Sequence, residues 1–217
     1  RYKAVWWSPD SKKMGFYRFD NTDVPLFPIY SAFSKNYAGD PEHPTAAPAM
    51  SQSPKVTDLG PGGSLSETRY PKCGQTNPEV RIGIVTLPDP SASAPDLAGS
   101  IVWADFDPAE DQYFGIPFWG SDSQEFFIAR MPRLQNTLDL YSISVKDGSR
   151  THIYNETYKT WLDWIDQVVF TERGLYMARN FETGWQQIYF LSYDGKEFRR
   201  LTDGTNWSLS VLRVDEK

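Results

Sequence analysis

Few residues in this chain of 217 have the types and spacing that covalent chemistry needs. A serine nucleophile on an α/β sheet sits in Gly-x-Ser-x-Gly with its histidine last in chain order. No such pentapeptide occurs here; Ser64 follows Gly62-Gly63 but is succeeded by Leu65-Ser66. The histidines are His43 and His152, and His152 lies in Thr151-His152-Ile153-Tyr154, which reads as an outer strand and a structural position. Cys73 is the single cysteine, so an internal disulfide and a multi-thiolate zinc site are excluded. With no histidine expected beside it, Cys73 reads as an inert thiol. The acidic run Asp105-Phe106-Asp107-Pro108-Ala109-Glu110-Asp111 lacks the glycine that a calcium loop needs at its sixth position, where Glu110 stands. It reads as a solvated loop, and no metal or cofactor is expected. Trp161, Trp164 and Trp185 remain, as interblade packing or as a stacking platform for a ligand. Trp161 and Trp164 are the candidate substrate-facing residues, and no catalytic residue is assigned.

The elements that would position these tryptophans come from a repeat. Trp7-Ser8-Pro9-Asp10-Ser11 is answered by Trp119-Gly120-Ser121-Asp122-Ser123 and more faintly by Phe170-Thr171-Glu172-Arg173-Gly174. Each copy precedes an apolar strand. Two aromatic strands then run into Asp-Gly turns, Leu140 to Gly148 and Ile188 to Gly195. A period of about fifty residues and hairpin turns between alternating apolar runs are the pattern of propeller blades.

The fold class expected is therefore all-β: a partial β-propeller of about three four-stranded antiparallel blades plus one strand of a fourth. Residues 1–217 read as one such domain. The first blade covers 1–106, the second 112–156, the third 160–204, and residues 205–217 start the next. Strands are expected over Phe114 to Trp119, Glu125 to Met131 and Asp139 to Val145 in the second blade, and over Gln186 to Tyr193 in the third. The single strand of that next unit is expected over Trp207 to Val214. Because propellers close with about four to eight blades, the chain is expected to be a segment of a larger protein.

Composition narrows the partners. Aromatics at 15%, with 8 Trp and 12 Tyr, favour pleated strands. A net charge of -6 argues against nucleic acid, whose binding needs a basic face. No run of eighteen apolar residues is present, so no membrane-spanning helix is expected. Inside the first blade, residues 38–68 carry five prolines and four glycines. That stretch reads as an inserted loop, either disordered or an arm that touches a partner. Its flanks, Val24-Pro25-Leu26-Phe27 and Tyr70-Pro71, could pair at its base. Pro88 to Gly99 reads as a second, shorter surface loop.

Three motifs in order carry a family resemblance: Ala4-Val5-Trp6-Trp7-Ser8-Pro9-Asp10, then Asn21-Thr22-Asp23-Val24-Pro25-Leu26, then Arg69-Tyr70-Pro71-Lys72 through Gly74 to Asn77-Pro78-Glu79-Val80. Together they resemble the amino-terminal region of dipeptidyl peptidase IV and its bacterial relatives. Arg133-Leu134-Gln135-Asn136 and Thr160-Trp161 are similar to later landmarks of that family. The resemblance implies an eight-bladed propeller capping an α/β-hydrolase domain that carries a Ser-Asp-His triad. It also implies removal of N-terminal dipeptides with proline or alanine in second place. In the family a glutamate pair ahead of the Trp-Ser-Pro strand holds the substrate amine; Arg1-Tyr2-Lys3 offers no match to it.

On that resemblance the parent is a serine-type peptidase whose peptide substrates reach a C-terminal hydrolase domain outside this chain. The propeller would gate and orient those peptides, and this segment would not be catalytic by itself. The resemblance further implies a periplasmic or extracellular location and a homodimer in the parent, towards which the inserted hairpin could extend. The alternative is a non-catalytic binding or scaffold propeller. A third reading is carbohydrate recognition by the tryptophans.

Overall fold

The computed structural model describes residues 4–31, 55–58, 64–88 and 101–215. Among them are sixteen strands and no helix, arranged in four antiparallel sheets. They divide into two compact units. One comprises Arg1–Phe19 with Val80–Lys217, and the other Asp20–Glu79.

The larger unit holds three sheets. The first contains β1 (Val5–Trp7), β2 (Lys13–Asp20), β6 (Glu79–Thr86) and β7 (Ile101–Trp103), in the order β1-β2-β6-β7. The second orders β12 (Arg150–Thr157), β11 (Thr137–Ser144), β10 (Glu125–Pro132) and β8 (Gln112–Phe114), with β9 (Phe118–Trp119) also pairing with β10. The third is β13 (Val168–Phe170), β14 (Gly174–Arg179), β15 (Gln187–Ser192) and β16 (Phe198–Arg200), in that order. Each is an up-and-down meander of the kind expected for a propeller blade.

Strand β10 shows why the sheets stack. Its sequence, Glu-Phe-Phe-Ile-Ala-Arg-Met-Pro, is apolar on both faces, which suits a strand covered on both sides. Phe126 and Ile128 join Trp6, Ile82 and Ile84 of the first sheet in one core cluster. Phe127, Ala129 and Met131 point the other way and pack with Leu175, Met177 and Leu191 of the third sheet. The register Phe126↔Ile143 and Phe127↔Ser142 keeps Ile143 in the first cluster while Leu138 and Leu140 join the second. The period-2 alternation of side chains thus sends one strand into two interfaces. Full burial of each of the Phe, Ile, Leu and Met side chains contributes about 1.5–3 kcal/mol.

The repeated turns share a hydrogen-bond pattern. Ser8 N donates to Lys13 O and Ser11 N to Ser8 O; Gly120 N donates to Glu125 O and Ser123 N to Gly120 O. Ser11 and Ser123 have φ of 58° and 60°. The two copies also touch: the Asp10 amide donates to Ser123 Oγ at 3.1 Å, and Trp119 Nε1 donates to Trp6 O at 3.0 Å in a buried contact. The Asp-Gly turns need glycine for two reasons. Gly148 and Gly195 have φ of 77° and 70°, and a Cβ on Gly195 would stand 2.5 Å from Ile153 O of the preceding sheet. Gly148 meets the Trp103 carbonyl of the sheet before it in the same way.

Three expectations change. The inner strand of the second blade, expected unbroken from Phe114 to Trp119, splits into β8 and β9 because Pro117 has no amide hydrogen for the ladder. Trp207 to Val214, expected as a strand, makes no ladder among the described residues. Instead the Asn206 carbonyl accepts from Gln186 N at 2.9 Å, and the Leu209 amide donates to Gln186 Oε1. The stretch 38–68, expected as loop, contains β4 (Lys55–Asp58) and most of β5 (Ser64–Arg69). With β3 (Leu26–Ser31) these form the three-stranded sheet of the smaller unit, ordered β3-β5-β4. Its glycines and prolines dominate the composition, whereas Val56, Leu65 and their polar neighbours alternate as a strand does. Residues 38–54, 59–63 and 89–99 lie outside the described residues, and with them the rest of both loop readings. The pairing expected at the base is present: Leu26 faces Arg69, and Arg69 Nη1 donates to Val24 O at 2.6 Å.

Candidate functional site

The larger unit has a cleft of about 320 Å³ where its first sheet, its second sheet and the connection between the second and third sheets meet. Trp6, Tyr17 and Phe19 form one wall, Phe114 and Ile116 another, and Trp164 and Asp166 the third. Trp6 and Tyr17 lie with ring centroids 4.9 Å apart, Tyr17 and Phe114 6.5 Å apart. The Tyr17 hydroxyl donates to Gly115 O, which joins the first two walls. Burial pushes that hydroxyl well above the usual tyrosine pKa, so it stays a proton donor. Gly115 also admits the third wall: a Cβ there would stand 2.7 Å from the Trp164 ring.

The connection that carries Trp164 and Asp166 has no regular structure of its own, so its shape comes from its contacts. Leu162 and Ile165 are buried in the core cluster between the second and third sheets, with Trp164 packed against it. Leu162 N donates to Gln135 O at 2.9 Å, and Tyr158 N to Asn136 O at 2.9 Å. Arg179 of β14 completes the attachment. Its guanidinium is 3% exposed and binds the wholly buried carboxylate of Glu156 on β12, Nε to Oε2 at 2.8 Å and Nη2 to Oε1 at 3.1 Å. It also donates to the carbonyls of Trp164 at 3.0 Å and Asp163 at 2.8 Å. Tyr154 donates to Glu156 Oε2 at 2.9 Å; burial and the Glu156 charge hold its hydroxyl far above the ordinary range. Every charged atom of the pair thus has partners, which a buried ion pair needs.

The two tryptophans singled out in the sequence both lie on this connection. Trp164 is half-buried and lines the cleft. Trp161 is 55% exposed and donates from Nε1 to Gln135 Oε1 at 3.1 Å. Trp185 is not with them; it packs edge-on against Trp207. His152 pairs with Asp139 Oδ1 at 3.0 Å and lies edge-on to Tyr141. In the acidic loop, Glu110 binds Arg130, and Asp111 binds Arg133 at 2.9 Å. Cys73 is exposed, and Ser64 is the first residue of β5. Sequence reasoning missed Tyr17, Phe114, Asp166, Glu156 and Arg179. One signal was available: Leu175, Met177 and Arg179 share a strand face, so the arginine follows two core residues inward and needs a buried anion.

Comparison with known proteins places the chain among relatives. The family model of the dipeptidyl peptidase IV (DPP IV) N-terminal region matches residues 1–217. A probable dipeptidyl peptidase 4 of Emericella nidulans is 26% identical over 99% of the chain, which covers 26% of that relative. A venom dipeptidyl peptidase 4 of Apis mellifera is likewise 26% identical, over 98% of the chain and 25% of its own length. The chain thus spans about a quarter of the length of the curated relatives it matches. Among solved structures, a putative dipeptidyl aminopeptidase IV from Bacteroides ovatus superposes with a TM-score of 0.69 at 17% identity, over 93% of the chain and 27% of that structure. Porphyromonas gingivalis dipeptidyl peptidase 4 gives 0.66 at 20% identity, over 93% and 24%. At these identities the structures establish the fold, a stretch of propeller.

Proposed function

The chain belongs to the dipeptidyl peptidase IV N-terminal region family over residues 1–217, and from that membership we propose that it is the substrate-guiding propeller segment of a serine-type dipeptidyl peptidase. In this reading a hydrolase domain elsewhere in the protein carries the triad, and the propeller admits and orients peptides for removal of N-terminal dipeptides. The whole-length family match is the observation that carries the reading. The cleft supports it with a surface that peptides could use: aromatic walls from two blades and a connection fixed by the Glu156–Arg179 pair. Trp164 is the substrate-facing residue of that surface, and Trp161 extends it on the exposed side of the same connection. The same membership supports a location outside the cytoplasm and a homodimeric parent. Among the described residues no helix is long and apolar enough to cross a membrane.

The test is direct. The full-length protein should release chromophore from Gly-Pro and Gly-Ala p-nitroanilides, and the 217-residue chain alone should not. A full-length protein that binds peptides but cleaves no Xaa-Pro or Xaa-Ala terminus would replace this reading with that of a binding propeller. Turnover by the isolated chain that survives repurification would overturn the assignment of chemistry to another domain.

A further inference from the structure

Three Asp-Gly steps occur in the chain: Asp147-Gly148, Asp194-Gly195 and Asp203-Gly204. In such a step the glycine nitrogen can attack the aspartate Cγ, because no Cβ obstructs the approach. A bond from nitrogen to Cγ forms, the Cγ–O bond of the protonated carboxyl breaks, and the amide hydrogen leaves with that hydroxyl as water. The succinimide then takes up water at either carbonyl, giving back aspartate or giving isoaspartate, whose main chain runs through the side-chain carbon. The attack needs a free amide and a side chain free to turn. Two of the steps lack both. Gly148 N donates to Ser144 O and Gly195 N to Ser192 O, each at 3.0 Å. Asp147 Oδ1 accepts from Ser149 N at 3.1 Å and from Ser149 Oγ at 2.7 Å. Asp194 Oδ1 accepts from Ser192 Oγ at 2.7 Å and Lys196 N at 3.1 Å, and its Oδ2 pairs with Lys196 Nζ at 3.0 Å. These bonds also lower the pKa of both carboxyls, led by the Ser149 and Ser192 hydroxyls, so the protonated form that expels water is scarce.

At Asp203-Gly204 the restraints are missing. The Gly204 amide makes no hydrogen bond among the described residues, and its φ is 108° in a stretch that joins no ladder. Beyond its chain neighbours, the nearest atom to a Cβ placed there is Asn206 Nδ2, at 3.4 Å. The Asp203 side chain is exposed and is held through one oxygen, Oδ1, to Arg200 Nη2 at 2.9 Å. We propose that Asp203-Gly204 is a site of spontaneous conversion to isoaspartate in the folded protein, and that Asp147-Gly148 and Asp194-Gly195 are protected by their turns. The conversion reaches the core of the third sheet. The Gly204 carbonyl accepts from Nε2 of the buried Gln187 at 2.7 Å. Gln187 Oε1 in turn accepts from Thr202 Oγ1 at 2.7 Å, and that hydroxyl accepts from the Ile188 amide at 2.9 Å. An extra main-chain carbon between residues 203 and 204 shifts the Gly204 carbonyl and leaves a buried donor unsatisfied.

The three steps are compared within one molecule. Full-length protein is aged in mildly acidic buffer, folded in one series and unfolded in guanidinium in the other. Each step is read by peptide mapping with electron-transfer mass spectrometry and by labelling with isoaspartyl methyltransferase. Folded protein should convert at Asp203 at least about tenfold faster than at Asp147 or Asp194, the factor by which one amide hydrogen bond slows the attack. In guanidinium the three rates should converge. Asp203→Glu should remove the label from that peptide, because the larger ring forms far less readily. The converted fraction, separated by chromatography, should unfold at lower denaturant than the unconverted one. Equal conversion of the three steps in folded protein would overturn the proposal. So would an Asp203 that stays intact in folded protein while the guanidinium series converts it. Equal stability of the two fractions would overturn the link to Gln187.

Discussion

At Asp10 a single carboxylate holds together the turn that first marks the repeat. It accepts from the Ser8 hydroxyl at 2.5 Å and from the Lys12 amide at 3.0 Å, and these bonds lower its pKa to about 2. Asp147 and Asp194 are lowered in the same sense, first by the hydroxyls of Ser149 and Ser192. A carboxylate whose folded pKa lies below its unfolded value, about 3.9, stabilises fully above that value. Its contribution fades as the pH falls towards 2, so these turns should be the acid-sensitive points. A side-chain carboxyl NMR titration should find Asp10 near 2, and Ser8→Ala should move it up towards 4; a wild-type value near 4 would contradict the turn geometry. At Gly195, alanine meets both a φ of 70° and the Ile153 carbonyl. Gly195→Ala should lower the unfolding free energy measured by urea titration by more than about 1 kcal/mol, while Gly184→Ala, with open space around it, should cost less.

Between elements, Glu156 on β12 and Arg179 on β14 tie the second sheet to the third across a packed interface. Removing one partner strands the other charge in the interior, which costs about 3–5 kcal/mol. Removing both costs less, since two apolar side chains of similar volume pack where the ions stood. Glu156→Leu and Arg179→Met should therefore each destabilise strongly, and the double variant Glu156→Leu with Arg179→Met should recover much of the loss. Chemical unfolding of the four proteins measures the coupling; additive losses would mean that the pair acts singly. Arg179→Met should also release the Asp163–Trp164 carbonyls and blunt ligand binding in the cleft, an effect that the double variant would not restore.

For the whole molecule, the topology makes the smaller unit an excursion. Strands β2 and β6 are hydrogen-bonded neighbours, so the chain leaves the first sheet and returns to it at adjacent positions. Replacing residues 21–78 by Asn-Gly, which favours a tight hairpin, should leave the three sheets of the larger unit intact. Near-UV circular dichroism and a cooperative unfolding transition like the parent's are expected. Loss of the aromatic signal would show that the larger unit depends on the excursion.

The sequence by itself determined the elements. Alternating apolar residues, Trp-Ser-Pro-Asp turns and Asp-Gly turns are local signals, and they placed strands such as β10, β11 and β15 to within a residue or two. The same motifs carried the family. Where a local signal was diluted the reading failed, as in the Gly- and Pro-rich stretch that hides β4 and β5, and at Pro117, which interrupts an inner strand. The cleft was beyond its reach. Trp6, Tyr17, Phe114 and Trp164 come from different sheets and connections, and Tyr17 meets Gly115 across 98 positions of chain. Trp164 was visible as a residue, but its place in the cleft depends on Gly115 and on the Glu156–Arg179 pair. Only the tertiary structure decided which aromatics share one concavity, because packing between blades joins residues that no local periodicity links.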